Sequence, residues 1–437
     1  MKAPAEWYDP YKADVDRALQ DKKLQLAVRR FTTTFTAATA NALKKLPYIP
    51  YLKKRAREIR SWSIDNCPEL VKMFKENIEA LGGVFYLAKD AKECREYVCK
   101  VCLDHEAKLV TKAKSMVSEE IFLNDALTEK GIEVRETDLG EFIIQLRKEK
   151  PSHVVGPALH IPREDIAELF SRITGEKLPP DNVPALTSVA RRLLRGEFIK
   201  ADVGISGANV VTAETGTIVL IENEGNIRHV TNLPPVHICV TGIEKIVPTL
   251  EDAAVIIQLL PPYATGQLMS VYVSLITGPS RTGDIEMQTV IPAHGPKELY
   301  AVLLDNGRQN LINDPDFKEA SYCIRCGSCL NICPVYRRIS GQVWGYRYMG
   351  AIGAIWTAFC HGIDKAAPFA FSCTECGHCR VACPLEIDIP TMIEKLRYRL
   401  TRLGYVAPPH AQVAGCIEKS NNPFGEATEK RIEWLKA

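Results

Sequence analysis

Residues 323–334 read CIRCGSCLNICP, and residues 373–384 repeat the pattern as CTECGHCRVACP. Both stretches have the form Cys-x2-Cys-x2-Cys-x3-Cys-Pro. Three thiolates spaced two residues apart can wrap one corner of an iron-sulfur cubane, and the fourth cysteine, which precedes a proline, turns toward the other cluster. The repeat therefore predicts a duplicated metal-binding unit with two 4Fe-4S clusters that exchange one ligand each.

The exchange rule assigns four thiolates to each cluster. The first predicted ligand set is Cys323, Cys326, Cys329 and Cys383. The second predicted set is Cys373, Cys376, Cys379 and Cys333. The doubled motif does not have the spacing of a zinc ribbon. Because cubane clusters exchange single electrons and offer no acid-base group, the motifs indicate an electron relay, with the substrate chemistry elsewhere.

The chain has 15 cysteines, and their clustering favours metal because disulfides are rare in the cytosol. Cys94, Cys99 and Cys102 imitate part of a plant-type cluster motif. No clear fourth ligand follows nearby and residues 90–103 have an amphipathic helical pattern, so we predict that these three pack in the core. The isolated cysteines are interpreted in the same way: Cys67, Cys239, Cys360 and Cys416.

The segment between the motifs predicts a helix around Gly350 to Cys360, which favours an α-helical ferredoxin over the β-hairpin kind. Upstream, residues 63–308 alternate short β-branched runs with amphipathic stretches, the pattern of an α/β domain. The β-like runs include LVTKA, GIEVRETDL and SHVVGPAL, and a helix capped by Ser118, Glu119 and Glu120 follows the first. Asp-Asn-Gly-Arg at residues 305–308 ends the last strand, so the boundary is placed near residue 309.

Further strands and helices are predicted in the second half of the α/β region, and one large sheet would accommodate the strands. The predicted strands are Thr217 to Glu222, His237 to Val240, Ser270 to Ile276 and Leu299 to Leu304. The predicted helices are Pro162 to Arg195 and Leu250 to Leu260. The first sixty residues are helical in character, and a cluster of basic residues is interpreted as one solvated helix face: Lys53, Lys54, Arg55, Arg57 and Arg60.

With 437 residues, the chain is expected to form two or three units. Its net charge of +2 gives no indication of a nucleic-acid partner. Residues 1–20 are acidic and aromatic and do not resemble a signal peptide. Every apolar stretch is shorter than a transmembrane segment requires. We therefore expect a cytoplasmic protein that meets a membrane only through a partner.

Polar residues near turns of residues 204–228 could surround a small anionic ligand. Glu214 is a candidate base, and Arg228 or Lys245 could hold a carboxylate. Turns rich in Asn, Gly and Glu are also common without any function, so a purely structural role stays open. His160 and His237 are expected to be packed or solvated. GISGAN lacks the third glycine of a dinucleotide fingerprint and no GxxxxGK[ST] occurs, so no nucleotide site is expected.

Residues 25–358 closely resemble the lactate utilisation protein B family, the iron-sulfur subunit of bacterial lactate utilisation. The stretches that carry the resemblance are KAKSMVSEEIFLN, ETDLGEFIIQL, PSHVVGPALH, ADVGISGANVVTAETGTIVLIENEGNIR, GIEKIVPTLEDA, LDNGR and CIRCGSCLNICPVYR. The resemblance implies that residues 63–308 form a LUD domain, related in fold to CoA transferases and sugar-phosphate isomerases. It also implies that L-lactate is oxidised to pyruvate in a complex with two other subunits.

Three stretches depart from the family pattern and put the substrate in question. ISGQVWGYRYMGAIGA stands where the family reads closer to IGGHxYGxxYxGPIGA, RTGDIEMQTVIPAHGP is unusual, and the C-terminal tail differs. In that tail, NNPFGEATEKRIEW resembles the segment that follows the clusters in the heterodisulfide reductase C subunit. There it accompanies a cysteine-rich partner subunit.

Three functions follow from these observations as hypotheses. The chain is an electron-transfer subunit of a lactate-oxidising complex, a connector subunit of a heterodisulfide-reductase-like assembly, or an enzyme whose LUD domain acts on a small carboxylate or a CoA-linked substrate. The expected partners are a cysteine-rich heterodisulfide-reductase-B-like or lactate-utilisation subunit, with a flavoprotein or a membrane-anchored protein as further candidates. The predicted divisions are 1–62, a helical segment; 63–308, the LUD domain; 309–400, the ferredoxin domain; and 401–437, a partner-binding tail.

Overall fold

The computed structural model describes residues 6–427, 429–430 and 433. Within them the chain starts with helices, continues as alternating strands and helices, and ends in helices around the two cysteine motifs. The first five residues of the predicted helical segment lie outside the described residues. So do residues 428, 431–432 and 434–437 of the predicted tail.

The strands are β1 (Val84–Ala88), β2 (Leu109–Lys112), β3 (Glu133–Glu136), β4 (Val203–Ser206), β5 (Val210–Thr212), β6 (Thr217–Glu222), β7 (Val236–Gly242), β8 (Ile246–Val247), β9 (Tyr272–Ile276) and β10 (Glu298–Leu304). The helices are α1 (Tyr8–Gln20), α2 (Lys22–Lys44), α3 (Ile49–Asp65), α4 (Cys67–Ala80), α5 (Ala91–Asp104), α6 (Met116–Glu120), α7 (Leu123–Glu129), α8 (Leu139–Arg147), α9 (Arg163–Thr174), α10 (Val183–Lys200), α11 (Asn226–Asn232), α12 (Leu250–Ala264), α13 (Arg308–Asn313), α14 (Ser328–Asn331), α15 (Tyr336–Val343), α16 (Gly350–Cys360), α17 (Ile363–Ser372), α18 (His378–Ala382), α19 (Ile389–Arg402) and α20 (Pro408–Ser420). Short 3-10 turns span Ile243–Lys245 and Lys318–Tyr322.

The larger sheet has the strand order β1-β10-β7-β4-β2-β3, and each neighbouring pair is parallel. Every residue of β4 and β7 is buried. Strands that are buried along their whole length are typical of a parallel sheet that is covered by helices on both faces. The carboxyl ends of these strands meet at one edge of the sheet, where α/β proteins usually bind their ligands.

The single large sheet expected from the sequence is wrong. A separate four-stranded sheet has the order β8-β5-β6-β9 and mixes parallel with antiparallel pairs. The predicted strand positions are close to those observed, since β6 has the predicted limits and β9 begins two residues later than expected. Their pairing differs because β5 and β6 form a hairpin across residues 213–216, which turns this part of the chain away from the parallel sheet.

The first N–H groups of a helix have no acceptor within the helix. In several helices of this chain, the side chain of the residue before the helix accepts a hydrogen bond from one of them. Asp138 caps α8 and Thr249 caps α12. The predicted cap of the helix after β2 is wrong, because Ser115 is the N-cap of α6 and accepts from the N–H of Ser118. Glu120, predicted to belong to that cap, is buried and paired with Arg308 at 2.8 Å.

The basic face predicted on α3 is only partly exposed. Arg60 is 3% exposed, and its guanidinium donates to the backbone carbonyls of Ser321 at 2.8 Å, Tyr322 at 3.3 Å and Ile246 at 3.3 Å. The helical period explains the error. Arg60 lies on the same face of α3 as the buried residues, and the exposed basic residues lie on the other face. Arg60 thus joins the N-terminal helices to the segment that leads into the first cysteine motif.

The run SHVVGPAL at residues 152–159 was expected to be a strand and is a series of turns. Gly156 and Pro157 interrupt it, and proline has no N–H for a sheet ladder.

The predicted helices α12 and α16 are present, and α12 extends to Ala264. The three cysteines of α5 are at most 4% exposed and lie in the core, as predicted.

One continuous hydrophobic cluster joins the N-terminal helices, the smaller sheet and the helices around the cysteine motifs. Arg308 lies over the ring of Trp356, a member of this cluster, and is fully buried between Glu120 and Glu244. None of the helices in the described residues is long and apolar enough to cross a bilayer.

Candidate functional site

The two cysteine motifs follow the same backbone path. The residue two positions after the first cysteine has a positive φ in each motif, 61° at Arg325 and 52° at Glu375. The N–H of each of these residues lies 3.4 Å from the sulfur of the motif's first cysteine, Cys323 or Cys373. A glycine with φ near 80° follows the second cysteine in both. The repeated geometry curls each loop around its own centre, so that three sulfurs face one volume.

Two adjoining cavities lie inside these loops. The inner cage is lined by Cys323, Cys326, Cys329 and Cys383. The outer cage is lined by Cys329, Cys333, Cys373, Cys376 and Cys379. Each cage thus contains one predicted ligand set, including the cysteine contributed by the other motif, and Cys329 borders both. The ligand sets themselves stay a prediction.

The thiols fit iron-sulfur clusters better than single metal ions. All eight are free cysteines. Among the described residues, no three of their sulfurs lie mutually within 4.8 Å. Four sulfurs around zinc would be closer, because a Zn–S bond of about 2.3 Å sets them roughly 3.8 Å apart. Burial raises the pKa of Cys326 and Cys379 to about 12, so thiolates there need the positive charge of bound metal.

The two cages differ in their distance from solvent. Cys326 and Cys383 are 7% and 9% exposed, so the inner cage is enclosed. Cys376 of the outer cage is exposed, and α18 beside it has no buried residue. Val381 on that helix is 81% exposed. The outer cage therefore lies at the protein surface and the inner cage lies between it and the sheets.

A third cavity of about 450 Å³ lies between the sheets and the inner cage. It is bordered by the residues that follow β2 and β4, by the 3-10 turn after β7, and by the first motif loop. Its charged lining side chains are Lys114, Asp138, Glu222, Glu224, Lys245 and Arg325. We call this volume the interface cavity. It places ionic groups from separate parts of the chain next to a predicted cluster.

The three catalytic candidates from the sequence are not brought together. Glu214 is exposed in the turn between β5 and β6, outside the interface cavity. Arg228 is also exposed, lies 3.6 Å from Glu222 and packs over the ring of Tyr272. Lys245 lines the cavity and is 7% exposed. Of the three, Lys245 has the position that a ligand-binding side chain needs.

The predicted packing of the two histidines agrees with the structure. His237 is buried at the start of β7, hydrogen-bonded to Ser206 at 2.7 Å, and burial lowers its pKa to about 3. His160 lies 2.7 Å from Glu149. Neither borders the interface cavity.

Sequence analysis missed two cationic side chains of this cavity, Lys114 and Arg325, whereas Glu224 lies in the polar stretch 204–228 that it proposed for an anionic ligand. Lys114 donates to Asp138 at 3.1 Å and to the carbonyl of Val155 at 2.7 Å. Arg325 belongs to the first cysteine motif, and its guanidinium lies over the ring of Trp356, 3.9 Å from the ring centroid. Glu224 accepts from the N–H of Leu139. The position of Lys114 directly after a buried strand was the available signal, because strand carboxyl ends carry ligand sites.

The carboxyl groups of the cavity include one with a strongly shifted pKa. Removal of water by the surrounding protein, and then the negative charge of the neighbouring Asp138, raise the pKa of Glu224 to about 7. Backbone N–H groups of Leu139 and the cation of Lys114 act in the opposite direction and do not overcome this. Glu224 is nevertheless exposed to solvent, which screens these effects, so its pKa alone gives this carboxyl group no functional role.

Two family models match this architecture. Residues 71–304 match the LUD domain and residues 319–387 match the 4Fe-4S dicluster domain. The chain is thus an α/β LUD domain followed by a helical ferredoxin-like region that binds 4Fe-4S clusters. More narrowly, it belongs to the lactate utilization protein B family, because relatives of that name are 35% to 39% identical over most of this chain and of their own length.

Similar proteins span most of the chain. Lactate utilization protein B of Shouchella clausii is 39% identical over 89% of this chain and 80% of its own length. The Geobacillus thermodenitrificans protein of the same name is 35% identical over 97% and 94%. A crystal structure of a DUF162 family protein from Deinococcus radiodurans aligns at 16% identity with a TM-score of 0.30, covering 55% of this chain and 98% of that chain.

Proposed function

We propose that this chain is the iron-sulfur electron-transfer subunit of a multi-subunit oxidoreductase that oxidises L-lactate to pyruvate. The observation that carries the proposal is the pair of adjoining cysteine cages, one enclosed and one at the surface. The relatives named lactate utilization protein B support the choice of lactate. Such clusters, when bound, each accept or release one electron.

We propose two clusters, with the ligand sets given above. The inner set is Cys323, Cys326, Cys329 and Cys383, and the outer set is Cys373, Cys376, Cys379 and Cys333. The exchange of Cys333 and Cys383 between motifs fixes the two loops against each other. Lactate oxidation removes two electrons and two protons as the C–H and O–H bonds give way to a carbonyl group. Two single-electron centres in one subunit match that number.

The protein around the cages supports a path from inside to surface. The interface cavity borders the first motif loop, through Arg325. The outer cage borders solvent at Cys376 and α18. We place a cysteine-rich partner subunit at this surface, where no part of the described chain covers Val381. A flavoprotein or a membrane-anchored protein stays a further candidate partner.

The proposed domain limits are those predicted from the sequence. Residues 63–308 form the LUD domain and residues 309–400 the ferredoxin domain, with residues 1–62 as the helical segment. The tail at 401–437 is proposed to bind a partner. In support, Val413, Ile417 and Phe424 are 41%, 45% and 83% exposed, which is unusual for three large apolar side chains so close in sequence.

The test uses the full chain, purified under anaerobic conditions with the subunits that accompany it. L-lactate should produce the EPR signals of reduced 4Fe-4S clusters, whereas D-lactate and buffer should not. Dithionite gives the fully reduced reference. The proposal fails if dithionite reduces the clusters of the intact complex and L-lactate does not.

The exposed tail also favours a second function, a connector subunit in a heterodisulfide-reductase-like complex whose LUD domain only binds a partner. Deletion of residues 408–437 should then release a cysteine-rich subunit while the iron content stays unchanged. The connector function predicts that L-lactate leaves the clusters of the intact complex oxidised. Lactate-dependent reduction that needs the same subunit would reject it in favour of the first proposal.

A further inference from the structure

The interface cavity contains a buried cation, Lys245, that forms no ion pair within the described part of the chain. Lys245 is 93% shielded from solvent and lines the cavity. Among the described residues, its Nζ makes no side-chain hydrogen bond and no ion pair within 4.0 Å. A buried ammonium group without a partner is unfavourable, and an anionic ligand in the cavity would supply the missing partner.

The neighbouring carboxylate of Glu244 acts on Lys245 through its charge but forms no ion pair with it. Glu244 faces Arg308, at 2.5 Å from Nε, and Arg325, at 3.4 Å from Nη2. Arg60 donates to the backbone carbonyl of the same residue. Glu244 is therefore occupied by two guanidinium groups, and Lys245 adds a further positive charge at the cavity wall.

Arg325 is held rigidly beside this charge. Its guanidinium lies 3.9 Å from the ring centroid of Trp356 and 4.5 Å from that of Tyr348. Stacking of this kind fixes the plane of the group, and a planar guanidinium suits a carboxylate. Together with Lys245 it forms one cationic end of the cavity.

Apolar side chains form most of the remaining wall, and Lys114, Asp138, Glu222 and Glu224 also border the cavity. Phe31 and Phe35 of α2 form one wall, and Leu260 lies near the carboxyl end of α12. The volume of about 450 Å³ is in the usual range for ligand pockets. Lactate has six non-hydrogen atoms, which fill on the order of 180 Å³ at the space of one water each. The cavity therefore has room for a longer apolar side chain.

We propose that the interface cavity binds the carboxylate of an apolar 2-hydroxy or 2-oxo acid, with Lys245 as the main partner of the carboxylate and Arg325 beside it. Phe31 and Phe35 contact the side chain of the acid. The polar groups of Asn209 and Glu224 on the lining are available to the oxygen at carbon 2. The choice of 2-oxygenated acids rests on the proposed function, and the acceptance of side chains longer than that of lactate goes beyond it.

A rival role for Lys245 is to offset the negative thiolates of the inner cage, since Cys323 belongs to the loop that borders the same cavity. The two roles predict different results. A charge-balancing lysine changes the midpoint potential of the inner cluster on substitution but leaves ligand affinity unchanged. A ligand-binding lysine changes affinity.

The experiment is a calorimetric titration of the anaerobic full chain, with both clusters present, by pyruvate, 4-methyl-2-oxopentanoate and the neutral pyruvamide. Both acids should bind and pyruvamide should not. The longer acid should bind at least about 10-fold more tightly, since each buried methylene adds roughly 4-fold. Lys245→Met should weaken binding by about 10- to 100-fold, the range for a lost charge-assisted hydrogen bond.

The controls separate binding from folding. Lys200→Met, at the exposed end of α10, should leave affinity unchanged. Lys245→Arg should recover part of the affinity. The unfolding midpoint of Lys245→Met should equal or exceed that of the wild type, because the lysine has no partner to lose. Failure of the wild type to bind either acid overturns the inference, as does wild-type affinity in Lys245→Met with a shifted cluster potential.

The lactate test of the complex is read separately. Reduction of the clusters by L-lactate without acid binding to this chain would overturn the cavity assignment and leave the proposed function intact. Acid binding that depends on Lys245, without lactate-dependent reduction, would uphold the cavity and overturn the proposed function.

Discussion

Arg308→Met tests whether the LUD and ferredoxin regions unfold together. The guanidinium of Arg308 is fully buried, donates to both carboxylate oxygens of Glu120 at 2.8 and 2.9 Å, and donates to Glu244 at 2.5 Å. Methionine has a similar length but carries no charge and donates no hydrogen bond. The buried carboxylates of Glu120 and Glu244 would each lose the guanidinium of Arg308. Removal of one member of a buried ion network costs about 3–5 kcal/mol.

The size of the melting shift follows from the continuous core. If 437 residues unfold as one unit, the unfolding entropy is about 0.9 kcal/mol/K. A loss of about 3–5 kcal/mol then lowers the melting temperature by roughly 3–5 °C. The measurement is anaerobic thermal unfolding, followed by circular dichroism and by the visible absorbance of the clusters. Both probes should shift together, because Arg308 joins the two regions.

A second substitution isolates the network. Glu120→Gln keeps an oxygen that can accept from Asn306 and removes the charge that Arg308 neutralises. The double variant with Arg308→Met should therefore be about 2–3 kcal/mol more stable than the sum of the two single changes predicts. Arg192→Met on the exposed face of α10 is the matched control and should change nothing. An unchanged melting temperature in Arg308→Met, or two separate transitions, would refute this reasoning.

Three further predictions concern single positions. Cys383→Ser should remove the EPR signal of the inner cluster and Cys333→Ser that of the outer one, each leaving about four irons per chain. Burial raises the pKa of Glu244, but Arg308 and then Arg325 outweigh it and hold the pKa at about 2, below the unfolded value of about 4.3. The resulting stability, about 3 kcal/mol, should be present above pH 4.5 and be lost as the pH falls toward 2, and Glu244→Gln should flatten this profile. Gly204→Ala should destabilise by at least about 1–3 kcal/mol in chemical unfolding, since its Cβ would lie 1.8 Å from the carbonyl oxygen of Val230.

Each of these predictions has a control in the chain. Cys416→Ser should keep both EPR signals, and the exposed Glu418→Gln should keep the acid profile of the wild type. Gly196→Ala in α10 should be neutral or stabilising by up to about 1 kcal/mol, because its Cβ meets no atom within 4 Å. Retention of the inner signal in Cys383→Ser would contradict ligand exchange. An acid profile in Glu244→Gln identical to the wild type would show that the buried network does not set it.

The cysteine motifs were readable from the sequence because their chemistry is local. Three cysteines of each set lie within seven residues, and the spacing alone restricts the geometry. Helix α16 was readable for the same reason, since its pattern is continuous. Arg60 shows the limit: its basic neighbours suggested a solvated face, although the apolar positions Ile49, Leu52 and Ala56 mark the inward side of α3.

The interface cavity could not be derived in this way. Lys114, Lys245 and Arg325 come from three distant segments, and each stands in a local pattern that has another explanation. The division into two sheets was equally hidden, because short strands of similar composition do not specify their partners. The packing of the folded chain brings these distant segments together, and a single sequence does not reveal that packing.

The central claim is that this chain carries two 4Fe-4S clusters in adjoining cages. The most direct measurement is the iron and acid-labile sulfide content of the full chain, purified under anaerobic conditions. The ligand sets predict about eight irons and eight sulfides per chain. Four irons, or zinc in place of iron, would contradict the claim.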